Sequence, residues 1–198
     1  MVDKIVILLF GWLGLFSLDL SADSNETKAT IAQMRGVSLE AAFVARSMQY
    51  LYWQNEHLPP NDQTGSLLVV GQDNCLFKER LVFLFDVAGL KVQGRQMQVE
   101  SCESLEEATQ IVEENHKIMF VVVLNSAADQ WDAKVFSKRK GLVVYGQGET
   151  FKQRGMSMYS YVQNNRIKVS VNLKKLKNKK IQVGEELLSR NQMIFTGG

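Results

Sequence analysis

The sequence predicts an α/β domain: a mostly parallel central sheet flanked by helices, ending in an antiparallel hairpin and a short helix, a Rossmann-like sandwich. Three patterns point there. The segments "SLLVV", "KIMFVVVL" and "GLVVY" are continuously apolar, as strands buried on both faces must be. Amphipathic helical segments separate them, which is the rhythm of parallel strands with helical crossovers. Near the C-terminus the period changes to strict alternation in "RIKVSVN", preceded by "GMSMYSYV" and a turn at Asn164 and Asn165, the signature of a hairpin.

The elements come in this order. "MVDKIVILLFGWLGLFSLDLSADS" has a charged start, an apolar run from Ile5 to Leu18 and small residues at Ser21 and Ala22. Its run is short for a membrane span and ends as a secretory signal does, so residues 1–22 read as a cleaved signal peptide. An uncleaved anchor and an ordinary buried strand are the alternatives. Cleavage removes Lys4, Asp3 and Asp19, taking the formal charge from +2 to +3. Residues 23–37 read as a flexible polar lead-in, and 38–198 as the domain. A helix is expected from about Ser38 to Gln54, closed by Pro59 and Pro60, the only prolines. "SLLVV" is the first strand. "LFKERLVFLFDVAG" comes next as a helix with Phe77, Leu81, Leu84, Phe85 and Ala88 inward and Gly89 as its C-terminal cap. "QMQV" is the second strand. "SLEEATQIVEEN" opens on a capping box of Ser104 and Glu107, with Leu105, Ala108, Ile111 and Val112 on one face. "KIMFVVVL" is the third strand, "AADQWDAKVFSKR" a fourth crossover helix with Trp131, Val135 and Phe136 inward, and "GLVVY" the fourth strand. After the hairpin come a short basic stretch and a helix around "GEELLSRNQM". No internal repeat or long linker interrupts this order.

Composition narrows the function. The chain is 198 residues long, 45% hydrophobic and 22% charged, a globular balance that favours one domain. Its net charge is too small for a nucleic-acid binder, which needs a concentrated basic face. The five lysines of "KKLKNKK" at 174, 175, 177, 179 and 180 read as a solvated face, with an anionic partner or a membrane surface as the alternative. "GQGETF" fails the dinucleotide pattern because Phe151 stands where the third glycine belongs. His57, in the loop before Pro59, and His116, at a helix end, read as structural or surface residues. Ser126 and Asp129 read as helix caps, and neither a nucleophile elbow nor an acid–base pair of carboxylates is visible. With no CxxC and no clustered histidines, neither a metal nor a cofactor is expected, and the chain reads as a binding module rather than an enzyme.

In a parallel sheet, ligands and partners bind at the carboxyl ends of the strands. The loops from Gly71, Glu100, Asn125 and Gly146 are therefore expected on one edge, with Asp73, Asn125, Ser126 and Glu149 as its possible ligand contacts. Cys75 and Cys102 fall just past strand ends on that edge; in an oxidising compartment two thiols are most simply read as a bridge. Such a bridge stabilises by roughly 3 kcal/mol on the chain-entropy account. The segment from Phe151 to Tyr159 is expected to expose Phe151, Met156 and Met158 beside Lys152 and Arg154, apolar anchors rimmed by cations, and so to bind a partner.

Several weak motifs then combine. "EAAFVARSMQYLYW" at 40–53 is similar to a helix of the type "KAAFLYNFAKFVEW". After it come "LLVVGQD" at 67–73, "GRQMQV" at 94–99, "SLEEA" at 104–108, "FKQRGMSMY" at 151–159, "RIKVSVN" at 166–172 and "IQVGEELLS" at 181–189. Over roughly residues 38–190 the chain resembles the YfiR-like family of small periplasmic proteins. It departs from the family pattern at Arg154, where a glycine is usual, at Ser157, where Ile is usual, and at Gly184 and Glu185, which replace two serines. The resemblance implies a periplasmic inhibitor that binds the sensory part of a membrane-bound diguanylate cyclase and lowers cyclic-di-GMP synthesis, usually as a dimer, with no membrane insertion after cleavage. A periplasmic small-ligand binding module is the alternative.

Overall fold

A computed structural model describes residues 24–60, 63–73, 76–164, 166–190 and 193–197. The signal-peptide reading of residues 1–22 lies outside them. The chain divides at Gln33/Met34 into a first unit holding the opening turns of the first helix and a second unit holding the α/β domain. Among the described residues no helix is long and apolar enough to cross a membrane.

Helix α1 runs Ser24–Gln49, so the expected polar lead-in is helical from Ser24. It stops short of Gln54 because Leu51–Trp53 forms a strand, β1, whose Leu51 and Trp53 point inward and Tyr52 outward. β1 pairs antiparallel with β8 (Ile181–Val183) in a two-stranded ribbon. Three residues are too few for a periodicity to announce a strand, and neither was anticipated.

The main sheet has seven strands: β2 (Gly65–Val70), β3 (Met97–Cys102), β4 (Ile118–Val123), β5 (Val143–Gly146), β6 (Met158–Gln163), β7 (Arg166–Asn172) and β9 (Met193–Thr196). Their spatial order is β3-β2-β4-β5-β6-β7-β9. The β2–β3, β2–β4, β4–β5 and β5–β6 pairs are parallel, β6–β7 is the antiparallel hairpin, and β9 adds parallel to β7. The fold class is the expected one. β9 stands where only the tail of a helix was anticipated; that helix, α5, is reduced to Glu185–Leu188.

Alternation along the strands builds two cores. Leu67 and Val69 of β2, Phe120 and Val122 of β4, and Val143 and Tyr145 of β5 face α1 and α2 (Phe77–Val82). Leu68, Val70, Val121, Val123 and Val144 face α3 (Leu105–Glu114) and the crossover after β4. Every residue of β2 and β4 is buried, which explains their unbroken apolar runs. α2 passes into a π-helical turn at Phe83–Val87. That wider turn changes the phase of the helix, so Phe77, Leu81 and Phe85 are buried as expected while Ala88 is exposed. Gly89, at φ +66°, takes the capping position predicted for it. In α3 the Ser104 hydroxyl accepts from the Glu107 amide at 3.2 Å, and Leu105, Ala108 and Val112 are buried.

The fourth crossover is not an α-helix. Asn125–Gln130 is a 3-10 helix, and the residues after it form a series of tight turns closed by Val135 N to Asp132 O, Ser137 N to Lys134 O and Arg139 N to Phe136 O. The Asp132 carboxylate accepts the Lys134 amide at 2.9 Å, a local bond that competes with helix formation. Trp131, Val135 and Phe136 nonetheless pack inward. The basic stretch forms α4 (Leu173–Asn178), capped by Asn172 Oδ1 accepting the Lys175 amide at 2.9 Å. Two of its lysines are not solvated as expected: Lys175 Nζ donates to Gly155 O, and Lys179 Nζ donates to the carbonyls of Phe136, Ser137 (2.9 Å) and Arg139 (2.8 Å). Lys174, Lys177 and Lys180 are at least partly open to solvent.

Candidate functional site at the carboxyl edge of the sheet

The loops after β2, β3, β4 and β5 share one edge, as the parallel pairing requires. The chain reverses direction across the sheet between β2 and β4, the point where an open α/β sheet usually leaves a ligand crevice. Here the crevice is closed. Ser126 Oγ donates to Gln72 O at 3.1 Å, and a Cβ on Gly71, at φ +114°, would lie 2.7 Å from Ser126 Oγ. Only glycine allows these two loops to touch so closely.

The four possible ligand contacts lie along this edge, and each is engaged within the protein. Asp73 caps α2, accepting the Phe77 and Lys78 amides at 2.8 and 2.6 Å. Asn125 Oδ1 accepts from Thr150 Oγ1 at 2.9 Å. Ser126 is held by its bond to Gln72, and Glu149 lies 3.8 Å from Lys152 Nζ in an exposed ion pair. Asp73 also lines an open hollow of about 800 Å³ with Lys78, Ser101, Cys102 and Glu107. Among the described residues no group of three His, Cys, Asp or Glu side chains is placed to hold a metal ion.

The segment after β5 corrects the expectation of exposed anchors. Phe151 is fully buried, as is Met158, and Met156 is 4% exposed. Phe151 turns back under its own strand end: a Cβ on Gly146 would lie 2.3 Å from its ring, so the missing side chain at Gly146 makes room for the phenyl group. Met158 is the first residue of β6 and faces the α1 core; Met156 and Phe151 belong to the opposite one. The apolar side chains in this loop are therefore core, and burial explains their presence. What the loop presents is polar. Lys152 is exposed, and Arg154 ties two loops together, Nη1 donating to Ala128 O and Nη2 lying 3.4 Å from the exposed Asp129 carboxylate. Trp131 Nε1 adds a bond to Arg154 O at 2.7 Å.

Beneath this rim lies a residue that the motifs did not single out. Glu40 of α1 is 8% exposed and accepts from Tyr145 OH at 2.9 Å, from Ser160 Oγ, and from Gln147 Nε2 at 3.2 Å. Ser160 in turn accepts the Gly148 amide at 2.8 Å. Burial pushes the Glu40 carboxyl above its ordinary range, with the bonds from Ser160, Tyr145 and Gln147 pulling partly back. Burial and the neighbouring Glu40 likewise push the Tyr145 phenol well up. This network fastens α1, β5, β6 and the Gln147–Gly148 turn into one rigid piece. Its only sequence signal was a charged residue on an otherwise apolar helix face, at Glu40 between Val37, Ala41 and Val44.

Cys102 is buried with a free thiol that donates to Ser104 O at 3.6 Å, and burial with Glu107 nearby raises it to about 11. Cys75, its expected partner, lies outside the described residues.

The fold and edge define a class of protein: a parallel α/β domain with a closed switch point and strand-end loops bonded to one another. The chain belongs to the YfiR/HmsC-like family, whose family model matches residues 37–190. Members of this family are periplasmic regulators of diguanylate cyclases. No curated protein matches the chain.

Proposed function

We propose that this chain is a non-catalytic periplasmic protein that binds the periplasmic sensor part of an inner-membrane diguanylate cyclase and holds cyclic-di-GMP output down, working as a homodimer. The family match over residues 37–190 carries this reading, because it covers almost the whole α/β domain. The rim supports it: polar groups that a catalyst would aim at substrate are spent on holding loops together, which suits surface recognition. With Phe151, Met156 and Met158 in the core, the contact face is the polar one, Lys152 and Arg154 with Asp129 beside them. The dimer contact is assigned to the outer side of α1, where exposed Leu39 lines a hollow with Phe43, Tyr50, Leu187 and Met193. Large apolar side chains gathered on one side suit a protein interface.

The test is to remove the chain from its host and measure cyclic-di-GMP. The level should rise, and should return to normal with the wild-type chain but not with Lys152→Glu. An unchanged level overturns the regulatory reading and leaves a small-ligand binding module in its place.

A further inference from the structure

At the opposite, amino edge of the sheet lies a cavity of about 550 Å³. Its walls are residues 56–60 and Gln63 ahead of β2, the turn 114–118 between α3 and β4, and residues 139–141 that lead into β5. The chain has two histidines, and both His57 and His116 line this one cavity. Lys117, Arg139 and Lys140 line it too, against the carboxylates of Glu56 and Glu114, so cationic groups are in excess.

Two of these side chains carry buried polar atoms with no hydrogen-bond partner, Arg139 Nε and His57 Nε2. Arg139 spends Nη2 on His116 O at 3.1 Å and leaves Nε–H unused. His57 Nε2 lies 3.3 Å from Glu56 Oε1, an approach that does not complete a hydrogen bond. Native proteins rarely bury unpaired polar atoms without a reason, and both of these belong to residues that line the one cavity.

The wall is also built to hold its shape. Gly141 sits at φ +70°, and a Cβ there would fall 2.6 Å from His57 Cβ, so the glycine lets the imidazole pack directly on the entry to β5. Trp53 Nε1 fixes the same residue by donating to Gly141 O at 2.6 Å. Arg95, itself buried, donates from Nε to Pro59 O at 2.7 Å and so anchors the facing loop.

We propose that this cavity is a binding site for a small ligand through an oxyanion group, a phosphate or a carboxylate, received by the Arg139 guanidinium and the His57 imidazole with Lys117 and Lys140 beside them. Guanidinium and imidazole donors around a net positive lining match that chemistry, because charge-assisted bonds to oxyanions are short and strong. The site faces away from the carboxyl-edge rim, and its occupancy is independent of whether the rim binds a cyclase.

Because the chain has two histidines, imidazole NMR signals of the full chain report on the cavity directly. Inorganic phosphate and acetate are titrated separately, each against chloride at equal ionic strength. One of them should shift the His57 ring signals saturably, and which one does so separates a phosphate ligand from a carboxylate. Arg139→Gln should weaken that binding about tenfold or more, the loss expected for a charge-assisted contact. His57→Gln, read through His116, should do the same, and serves where Arg139→Gln does not fold. The proposal is overturned if neither anion produces a saturable shift, or if the shift persists at wild-type strength in the variants that fold.

Discussion

Glu40 shows at the scale of one residue how a buried acid stabilises a fold and limits it. Its carboxyl is raised by burial above the ordinary value of 4.5. The folded chain therefore keeps a proton that the unfolded chain gives up. The stabilisation this brings is complete below the unfolded value and is lost as pH rises through the raised folded one. Denaturant midpoints should accordingly fall as pH rises above 4.5 and through the raised folded value. Glu40→Gln, which can still bond Tyr145, Ser160 and Gln147, should flatten that slope; a slope of unchanged size would assign it to another group. Glu40→Ala should cost roughly 1–3 kcal/mol, because it strands the Tyr145 hydroxyl in the core. At Phe151 burial makes the side chain a matter of stability rather than of contact. Phe151→Ala should lower stability by about 3–5 kcal/mol, the range for a buried aromatic. Any loss of repression should come from that unfolding, whereas Lys152→Ala should leave the melting temperature alone and act on a salt-dependent association rate. Sequence could not separate these roles. Phe and Met beside Lys and Arg look the same whether the apolar side chains turn in or out, and the deciding feature is the absence of a Cβ at Gly146.

At the scale of elements, burial on both faces and local capping signals made elements legible. β2, β4 and β5 announce themselves because both faces are buried, and α3 because a capping box precedes a clean apolar stripe. β1, β8 and β9 are three or four residues long and form only because partners are supplied from far along the chain, a tertiary effect with no local trace. The crossover after β4 carries a helical spacing of Trp131, Val135 and Phe136, yet its backbone is irregular, and Lys179 explains how it is held. One ammonium accepts no bonds and donates three, to the carbonyls of Phe136, Ser137 and Arg139, doing for these turns what a regular helix does for itself. Lys179→Met keeps the aliphatic stem and removes the donors. It should destabilise the chain by roughly 1–3 kcal/mol and speed hydrogen exchange at Val135, Ser137 and Arg139 ahead of the sheet. Uniform exchange across β4 and the crossover would mean that the lysine is not what holds it.

At the scale of the whole molecule, the two ends of the sheet differ: at the carboxyl rim the β2–β4 switch point is closed by Ser126 and Gly71, and the amino edge holds the cavity lined by both histidines. A further tie would be a bridge between Cys75 and Cys102, which would join the loop after β2 to the end of β3. These strands are already neighbours, with Val70 paired to Cys102 and the Gly71 amide donating to Cys102 O at 2.9 Å. A bridge from Cys75 would then lock the loop that carries Asp73 and the start of α2 onto the sheet without reshaping the core. Unbridged, Cys102 would be a poor nucleophile, since its thiol is raised to about 11. Labelling of the native protein is therefore uninformative, and the count must be taken after unfolding. Denatured, unreduced protein from the periplasm should show essentially no reactive thiol, and reduction before unfolding should cost roughly 3 kcal/mol. Two reactive thiols per chain would dismiss the bridge, leaving the Gly71 amide on Cys102 O and Lys78 Nζ on Ser101 Oγ as what holds the loop on the sheet.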